Sequence, residues 1–213
     1  MVDRMGDLTL LTREQIGPAS EMLTRAFFND SKLTYVLPDE DIRRERGRHL
    51  FSFELRYGMN YGRVYATSPA LEGVAVWLPS ERSEITFWRA MRSGGMSLQK
   101  GLGKDNMKRL LSFSDIVDAY HKRHAPTPHC YLFFIGVDPR FQGKGFGGKL
   151  LRPLIDRMDQ KDMPCYLNTQ NEKNITLYEH FGFSVVEQVR LPGTEILHTG
   201  MLRKSGGGQA RST

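Results

Sequence analysis

The chain has 213 residues and a mass of 24.4 kDa, with 30 Lys+Arg against 24 Asp+Glu and a formal charge of +6. That length fits one domain with a sizeable core, and a hydrophobic share of 39% excludes a chain disordered throughout. Two cysteines, Cys130 and Cys165, exclude a disulfide framework, and no apolar run approaches the roughly 20 residues of a membrane span.

Leu8 to Thr12 reads as a short strand. Thr12 with Glu14 and Gln15 opens a helix to about Phe28, with Ile16, Ala19, Leu23 and Phe27 on one stripe. Asp39 or Asp41 caps a second helix through about Tyr57, whose inner face carries Leu50, Phe53 and Tyr57. Arg63 to Thr67 and Gly73 to Leu78 read as strands around a turn at Ser68-Pro69. Residues 83–124 read as helix broken at Gly94-Gly95 and at Gly101 to Gly103. Cys130 to Val137 is the most strand-like segment and predicts a buried central strand. A helix over Gly145 to Met158, a strand over Cys165 to Leu167 and a helix over Asn174 to Phe181, stopped by Gly182, follow. Ser184 to Val189 and Ile196 to Leu202 close the chain as a hairpin across Pro192-Gly193. The alternation predicts an α/β (α+β) fold.

The positive charge lies in blocks. Residues 139–155 carry Arg140, Lys144, Lys149 and Arg152 with no acid, and residues 80–125 and 203–213 are also basic. The first block sits in a glycine-rich stretch, Val137 to Leu150, joining the central strand to a helix. Glycines let a ligand approach backbone N–H groups, and a helix N-terminus adds unsatisfied donors, so the stretch reads as a phosphate cradle. Gly143-x-Gly145-x-x-Gly148 matches a dinucleotide-binding pattern, but position 168, where that pattern wants an acid, is Asn. Gly143 to Lys149 nearly matches a P-loop, but Leu150 stands where the magnesium-binding hydroxyl belongs.

A third reading fits both ends. Gln142-Gly143-Lys144-Gly145-Phe146-Gly147 resembles the [QR]-x-x-G-x-[GA] signature of the GNAT superfamily of acetyl-CoA-dependent N-acetyltransferases. Asn174-Ile175-Thr176-Leu177-Tyr178-Glu179-His180-Phe181-Gly182-Phe183 resembles a second motif of that family. The resemblance is clear over about residues 126–203, weaker over 8–79, and leaves 80–125 as a helical insertion. It implies a mixed, mostly antiparallel twisted sheet with splayed central strands, flanked by helices, in one domain over residues 1–204. Residues 205–213, glycine-rich, are expected to form a flexible tail.

The resemblance also implies a chemistry, with acetyl-CoA as co-substrate and no metal. Ile135, Gly136 and Val137 would pair with the pantetheine arm. The N–H groups of Gln142, Gly143, Lys144, Gly145, Phe146, Gly147 and Gly148 would hold the pyrophosphate, and Lys149 would add charge. Val137 would polarise the acetyl carbonyl through its N–H, Tyr178 would protonate the departing thiolate, and Asn174 would bond the arm or cap its helix. The amine would attack directly. The general base is open among Glu54, Glu72, His129 and a water chain. Family members often carry an acid where this chain has Asn168, which removes that option here. A CoA-responsive regulatory module without turnover is the alternative.

His121, His124, His129 and Cys130 invite a metal reading, which lacks an accompanying carboxylate cluster. The cysteines read as inert core residues, and Met91, Met96 and Met107 as core filler or pocket lining. The expected partner is a small-molecule or peptide amine, without nucleic acid or membrane, and the oligomeric state is open, a homodimer included. Met1 to Asp7 lacks the apolar core of a signal peptide, so a cytoplasmic location is expected.

Overall fold

In the computed structural model, which describes residues 5–125 and 128–205, seven strands form one sheet. They are β1 (Thr9–Leu10), β2 (Arg63–Ala66), β3 (Gly73–Pro79), β4 (Cys130–Val137), β5 (Cys165–Thr169), β6 (Ser184–Arg190) and β7 (Leu197–Arg203). Their spatial order is β1-β2-β3-β4-β5-β7-β6, and only β4 and β5 run parallel. The sheet is therefore mixed and mostly antiparallel, as the resemblance implies. Met1 to Arg4, Pro126-Thr127 and the tail from Gly206, with most of the segment expected to be flexible, lie outside the described residues.

Eight helices flank the sheet: α1 (Ile16–Ala26), α2 (Ser31–Val36), α3 (Glu40–Tyr61), α4 (Phe87–Arg92), α5 (Gly95–Leu102), α6 (Lys104–His124), α7 (Phe146–Gln160) and α8 (Lys173–His180). Asp39 caps α3 by accepting from the Ile42 N–H at 2.9 Å. The first helix starts later than its sequence suggests. The Thr12 N–H donates to Gln15 Oε1 in a turn, and regular helix begins at Ile16. The short α2 was not foreseen; Asp30 caps it by accepting from the Lys32 N–H at 2.9 Å.

Side-chain alternation along β4 divides the core into two layers. Tyr131 and Phe133 face α1, α2, α3, α5 and α6, in a cluster that includes Leu23, Leu33, Leu50, Leu55, Leu98 and Leu102. Leu132 faces α7 and α8, among Leu150, Leu151, Leu154 and Tyr178. The stretch from 80 to 125 contributes Leu98, Leu102 and Leu110 to the first cluster, so it is integral to the core. Phe113 and Val117 of α6 further pack with Leu191. Of the methionines read as core, Met91 and Met96 are instead exposed, at 38% and 65%.

What positions the site is a break in the middle of β4. Parallel pairing with β5 runs only from Cys130–Cys165 to Leu132–Leu167. At the same point the register with β3 slips: Trp77 opposes Leu132, Val76 opposes Phe134, and Phe133 is the extra residue. A bulge bends a strand and increases its twist. Here it swings Phe134 to Val137 away from β5 while β3 keeps them. The backbone edge that β5 would have paired thus faces a wedge between the two strands.

Candidate functional site: a cleft between splayed strands

At the open end of the wedge, β4 runs into the glycine-rich turn. Gly136 is where α1 lies on β4. A Cβ there would stand 2.6 Å from Leu23 Cδ2 and 2.7 Å from Phe27 Cε2, closer than such atoms approach. Asp138 follows, buried, and accepts from Arg140 N–H, Nε and Nη2 and from Arg25 Nη2 at 2.9 to 3.0 Å. The Arg140 bonds, then that of Arg25, hold its carboxyl well below the usual carboxylate range. This knot fixes the strand end against α1. It also engages Arg140, one of the four cations in the basic block. Gln142 turns back so that its Nε2 donates to the Val137 carbonyl at 3.0 Å.

Gly143 and Gly145 take φ of +75° and +83°, left-handed values that residues with a Cβ rarely adopt. Gly145 is the N-cap of α7 and brings no side-chain acceptor. The first capping-turn bond, Lys149 N–H to the Gly145 carbonyl at 3.0 Å, leaves the N–H groups of Phe146, Gly147 and Gly148 to serve another acceptor. With nothing within 4 Å of a Cβ at Gly143, Gly145 or Gly147, the concavity admits an anion as large as a pyrophosphate. Lys144 is exposed, its Nζ 5.3 Å from the centre of the Phe141 ring. Lys149 lines a cavity of about 550 Å³ with Asp7, Arg152 and Pro153 beside the turn.

Across the wedge, α8 presents Tyr178, which is 5% exposed and packs edge-on to Phe183 at 6.1 Å. Burial, reinforced by the charge of Asp30, pushes its hydroxyl pKa up, so it stays protonated and able to donate. Asn174 lies within the first turn of α8; the N-cap is Glu172, which makes no side-chain cap bond, and Asn171 Oδ1 accepts from the Lys173 N–H at 3.1 Å in the turn before it. Of its two sequence readings, the structure thus contradicts the cap.

The far wall is built of side chains that no motif announced. Lys32 Nζ of α2 donates to Glu54 Oε1 of α3 at 2.6 Å and stands 5.9 Å from the Phe133 ring centre. Asn168 Nδ2 of β5 donates to Tyr131 Oη at 2.7 Å, and Asn168 Oδ1 accepts from Gln170 Nε2 at 3.2 Å. Gln170 also meets His198 Nδ1 at 3.1 Å. Burial, and next the charge of Asp118 on α6, drive the Tyr131 pKa up. Burial pushes Asp118 itself up to about 6, against the pull of Lys122 and Lys32.

The three base candidates from the sequence are placed differently. Glu54 is buried in its pair with Lys32. Glu72 accepts from the Ser68 and Thr67 hydroxyls at 2.7 Å in the β2–β3 turn, which lower its pKa. His129 precedes β4 at the end remote from Val137, its Nε2 2.9 Å from that of His121. His124 instead points to Glu187, 2.8 Å away. Among the described residues no three His, Cys, Asp or Glu side chains come together as a metal set. Cys130 and Cys165 are free thiols opposite each other in register, and their mutual contact and burial push the Cys165 thiol up.

Comparison with known proteins adds four findings. The profile described as the Acetyltransferase (GNAT) family matches residues 75–183. An uncharacterised N-acetyltransferase of Schizosaccharomyces pombe is 26% identical over 179 residues, spanning 81% of this chain and 72% of that protein. The [ribosomal protein bS18]-alanine N-acetyltransferase of Salmonella typhimurium is 29% identical over 113 residues, 52% of this chain and 73% of its own length. Among solved structures, one described as histone acetyltransferase HPA2 and related acetyltransferase, from Corynebacterium glutamicum, superposes with a TM-score of 0.65. It covers 93% of this chain and 95% of its own at 22% identity, a likeness of fold.

Proposed function

This chain belongs to the GNAT family of acetyltransferases, and on that premise we propose that it moves the acetyl group of acetyl-CoA directly onto an amine of a small molecule or peptide. The observation that carries the reading is the wedge: a strand edge released from β5 leads straight into a turn of left-handed glycines and an uncapped helix start. Main-chain groups of Ile135 and Val137, which alternate away from β3, would bond the pantetheine arm past Gly136, with Asn174 beside it. The N–H groups from Gln142 to Gly148 would hold the pyrophosphate, and Lys149 would add charge from the edge.

The amine nitrogen forms its bond to the thioester carbonyl carbon, and the Val137 N–H takes up the charge developing on the carbonyl oxygen. The carbon–sulfur bond then breaks with its electron pair on sulfur. The Tyr178 hydroxyl gives that sulfur its proton, completing free CoA. The candidate acceptor for the proton lost from nitrogen is Asp118 of α6, a partly buried carboxyl that burial pushes up to about 6 and whose charge is felt at Tyr131.

Release of free thiol from acetyl-CoA, measured against a panel of amines, tests the reading. Tyr178→Phe is expected to lower turnover at least about tenfold with little change in CoA affinity, the signature of a lost proton donor. Near-wild-type turnover would take Tyr178 out of the role. Clear CoA binding with no amine above background would favour the regulatory module.

A further inference from the structure

The helix α4 has a face that the fold leaves outside. At about 100° per residue, Phe87, Trp88 and Met91 lie along one side of this turn and a half, with Arg89 and Ala90 opposite. The inward side is anchored. Arg89 Nη1 donates to the Glu84 carbonyl at 3.0 Å and its guanidinium stacks 5.8 Å over the Tyr61 ring, while Ala90 packs on the main core. The outward side is bare: Phe87 is 68% and Trp88 76% exposed, and on α5 Met96 is 65% exposed. Three large apolar side chains held this far out by an anchored backbone have no role in the core or in the cleft.

The charge around them is mostly positive: Glu81 and Glu84 precede the helix, the latter paired with Lys122 at 3.2 Å, and cations follow. From Ile85 to Lys104 the chain carries Arg89, Arg92, Lys100 and Lys104 and no acid. Arg56 of α3 reaches the same corner, its Nη1 3.0 Å from where a Cβ on Gly94 would stand. Exposed aromatic and thioether side chains followed by an excess of guanidinium and ammonium groups match an anionic bilayer surface. The rings enter the acyl boundary, and the long cationic side chains reach back to the headgroups. Two details favour a lipid surface over the other anionic partners. Phe87 and Trp88 pack against each other edge to face, at 5.3 Å and 74°, so they offer no pair of parallel faces for stacking bases. Side chains that stand so far clear of the surface need a partner pocket to become protein anchors, whereas a bilayer needs none.

We propose that α4 and the start of α5 form a peripheral docking surface for membranes rich in anionic phospholipid, with Phe87, Trp88 and Met96 inserted and Arg92 and Lys100 on the headgroups. This is contact with a surface; among the described residues no helix is long and apolar enough to cross a membrane. The surface sits by the β3 end that pairs with Cys130, remote from the glycine turn, so docking leaves the CoA side of the cleft facing away from the lipid.

The chain supplies its own probe. Of its two tryptophans Trp77 is 3% exposed and Trp88 76%, so a change of emission on binding reports Trp88. The full chain is mixed with vesicles of phosphatidylcholine alone and of phosphatidylcholine with phosphatidylserine, and sedimentation is measured alongside emission. Expected are a blue shift and co-sedimentation with the anionic vesicles that fade as salt is raised. The double variant Phe87→Ser/Trp88→Ser is expected to lose at least about tenfold in partitioning. Arg92→Glu with Lys100→Glu should lose at least about twentyfold on anionic vesicles and little on neutral ones. All four positions are exposed, so circular dichroism and thiol release should match the parent chain. No shift and no sedimentation with anionic vesicles would overturn the proposal. So would equal binding by Phe87→Ser/Trp88→Ser, or a Trp88 response to single-stranded RNA or an acidic peptide without one to vesicles.

Discussion

The two walls of the cleft are made by opposite means. The wall proposed to hold the cofactor is a contiguous piece of chain, Ile135 to Gly148, rich in glycine and ending in a helix start without a side-chain cap. The opposite side gathers side chains from α2, α3, β4, β5 and β7, from Lys32 to Gln170 and on to His198. A backbone site must be written in residues that free the backbone, so it leaves a local pattern. A side-chain site is assembled only when distant elements meet, so it leaves none.

The sharpest attack on this contrast is to remove one atom's charge from the far wall. Asp118→Asn is expected to lower kcat/KM about a hundredfold, within the range of general-base contributions. Its pH profile is the diagnostic. A carboxylate pushed up to about 6 accepts protons only above that pH, so the parent enzyme should lose activity as pH falls through 6. The Asn variant should lack that limb. A variant that keeps the limb would assign the titration elsewhere and reduce Asp118 to a surface charge.

The complementary attack is on the cofactor wall. Gly143→Val together with Gly145→Val forces β-branched residues into φ of +75° and +83°. At the lower end of about 1–3 kcal/mol for each left-handed non-glycine residue, about 2 kcal/mol for the pair, CoA affinity should fall roughly thirtyfold as the relaxed turn is returned to this conformation on binding, read by calorimetry. Because both positions are exposed with open space around them, the melting temperature should move far less than it would for Gly136→Val, which collides with Leu23 and Phe27.

These two experiments mirror what could be read in advance. The bounds of β4, the breaks at Gly94 and Gly103 and the turn from Gln142 to Gly148 follow from local composition, and the structure has them where that composition says. The α2 turn did not, because six residues capped by Asp30 carry too little periodicity to stand out from a connection. The wedge was implied by resemblance, yet its cause, the extra residue Phe133 against Val76–Trp77, has no mark in a uniformly apolar strand. Asp118 carries no mark in the sequence, one acid among several in residues 80–125. Only the burial that α6 meets in the folded chain raises its carboxyl, against the pull of Lys122 and Lys32. Met91 and Met96 misled for a related reason: helical spacing does not say which face the fold will leave open.

The insertion also has a pH signature of its own. His121 of α6 stacks 4.5 Å from the Tyr166 ring with its Nε2 2.9 Å from that of His129, a contact that holds one shared proton at most. Burial, and then the charge of His129, lower the His121 pKa to about 3, and burial lowers His198 to about 4. The unfolded chain therefore binds these protons first, and stability present above about pH 6.5 is lost as pH falls toward the folded values. At pH 5.5 the loss is about 1 kcal/mol for each such group, or roughly 2–4 °C in Tm for a chain of this size. His121→Gln should lower Tm at pH 7.5 but flatten its decline toward pH 5.5. A decline as steep as the parent's would locate the acid sensitivity elsewhere.

The smallest effect belongs to the charges that first drew attention to the turn. Lys144 holds its ammonium over Phe141 and Lys149 faces the cavity beside Arg152, both on exposed side chains where water screens them. Arg140 is already engaged by Asp138. If main-chain donors carry the pyrophosphate, Lys144→Ala and Lys149→Ala should each weaken CoA by no more than about threefold at physiological salt, and by somewhat more when salt is lowered. A loss nearing that of the glycine double variant would mean that the cradle works by side-chain charge. The two walls of the cleft would then differ in sequence continuity alone.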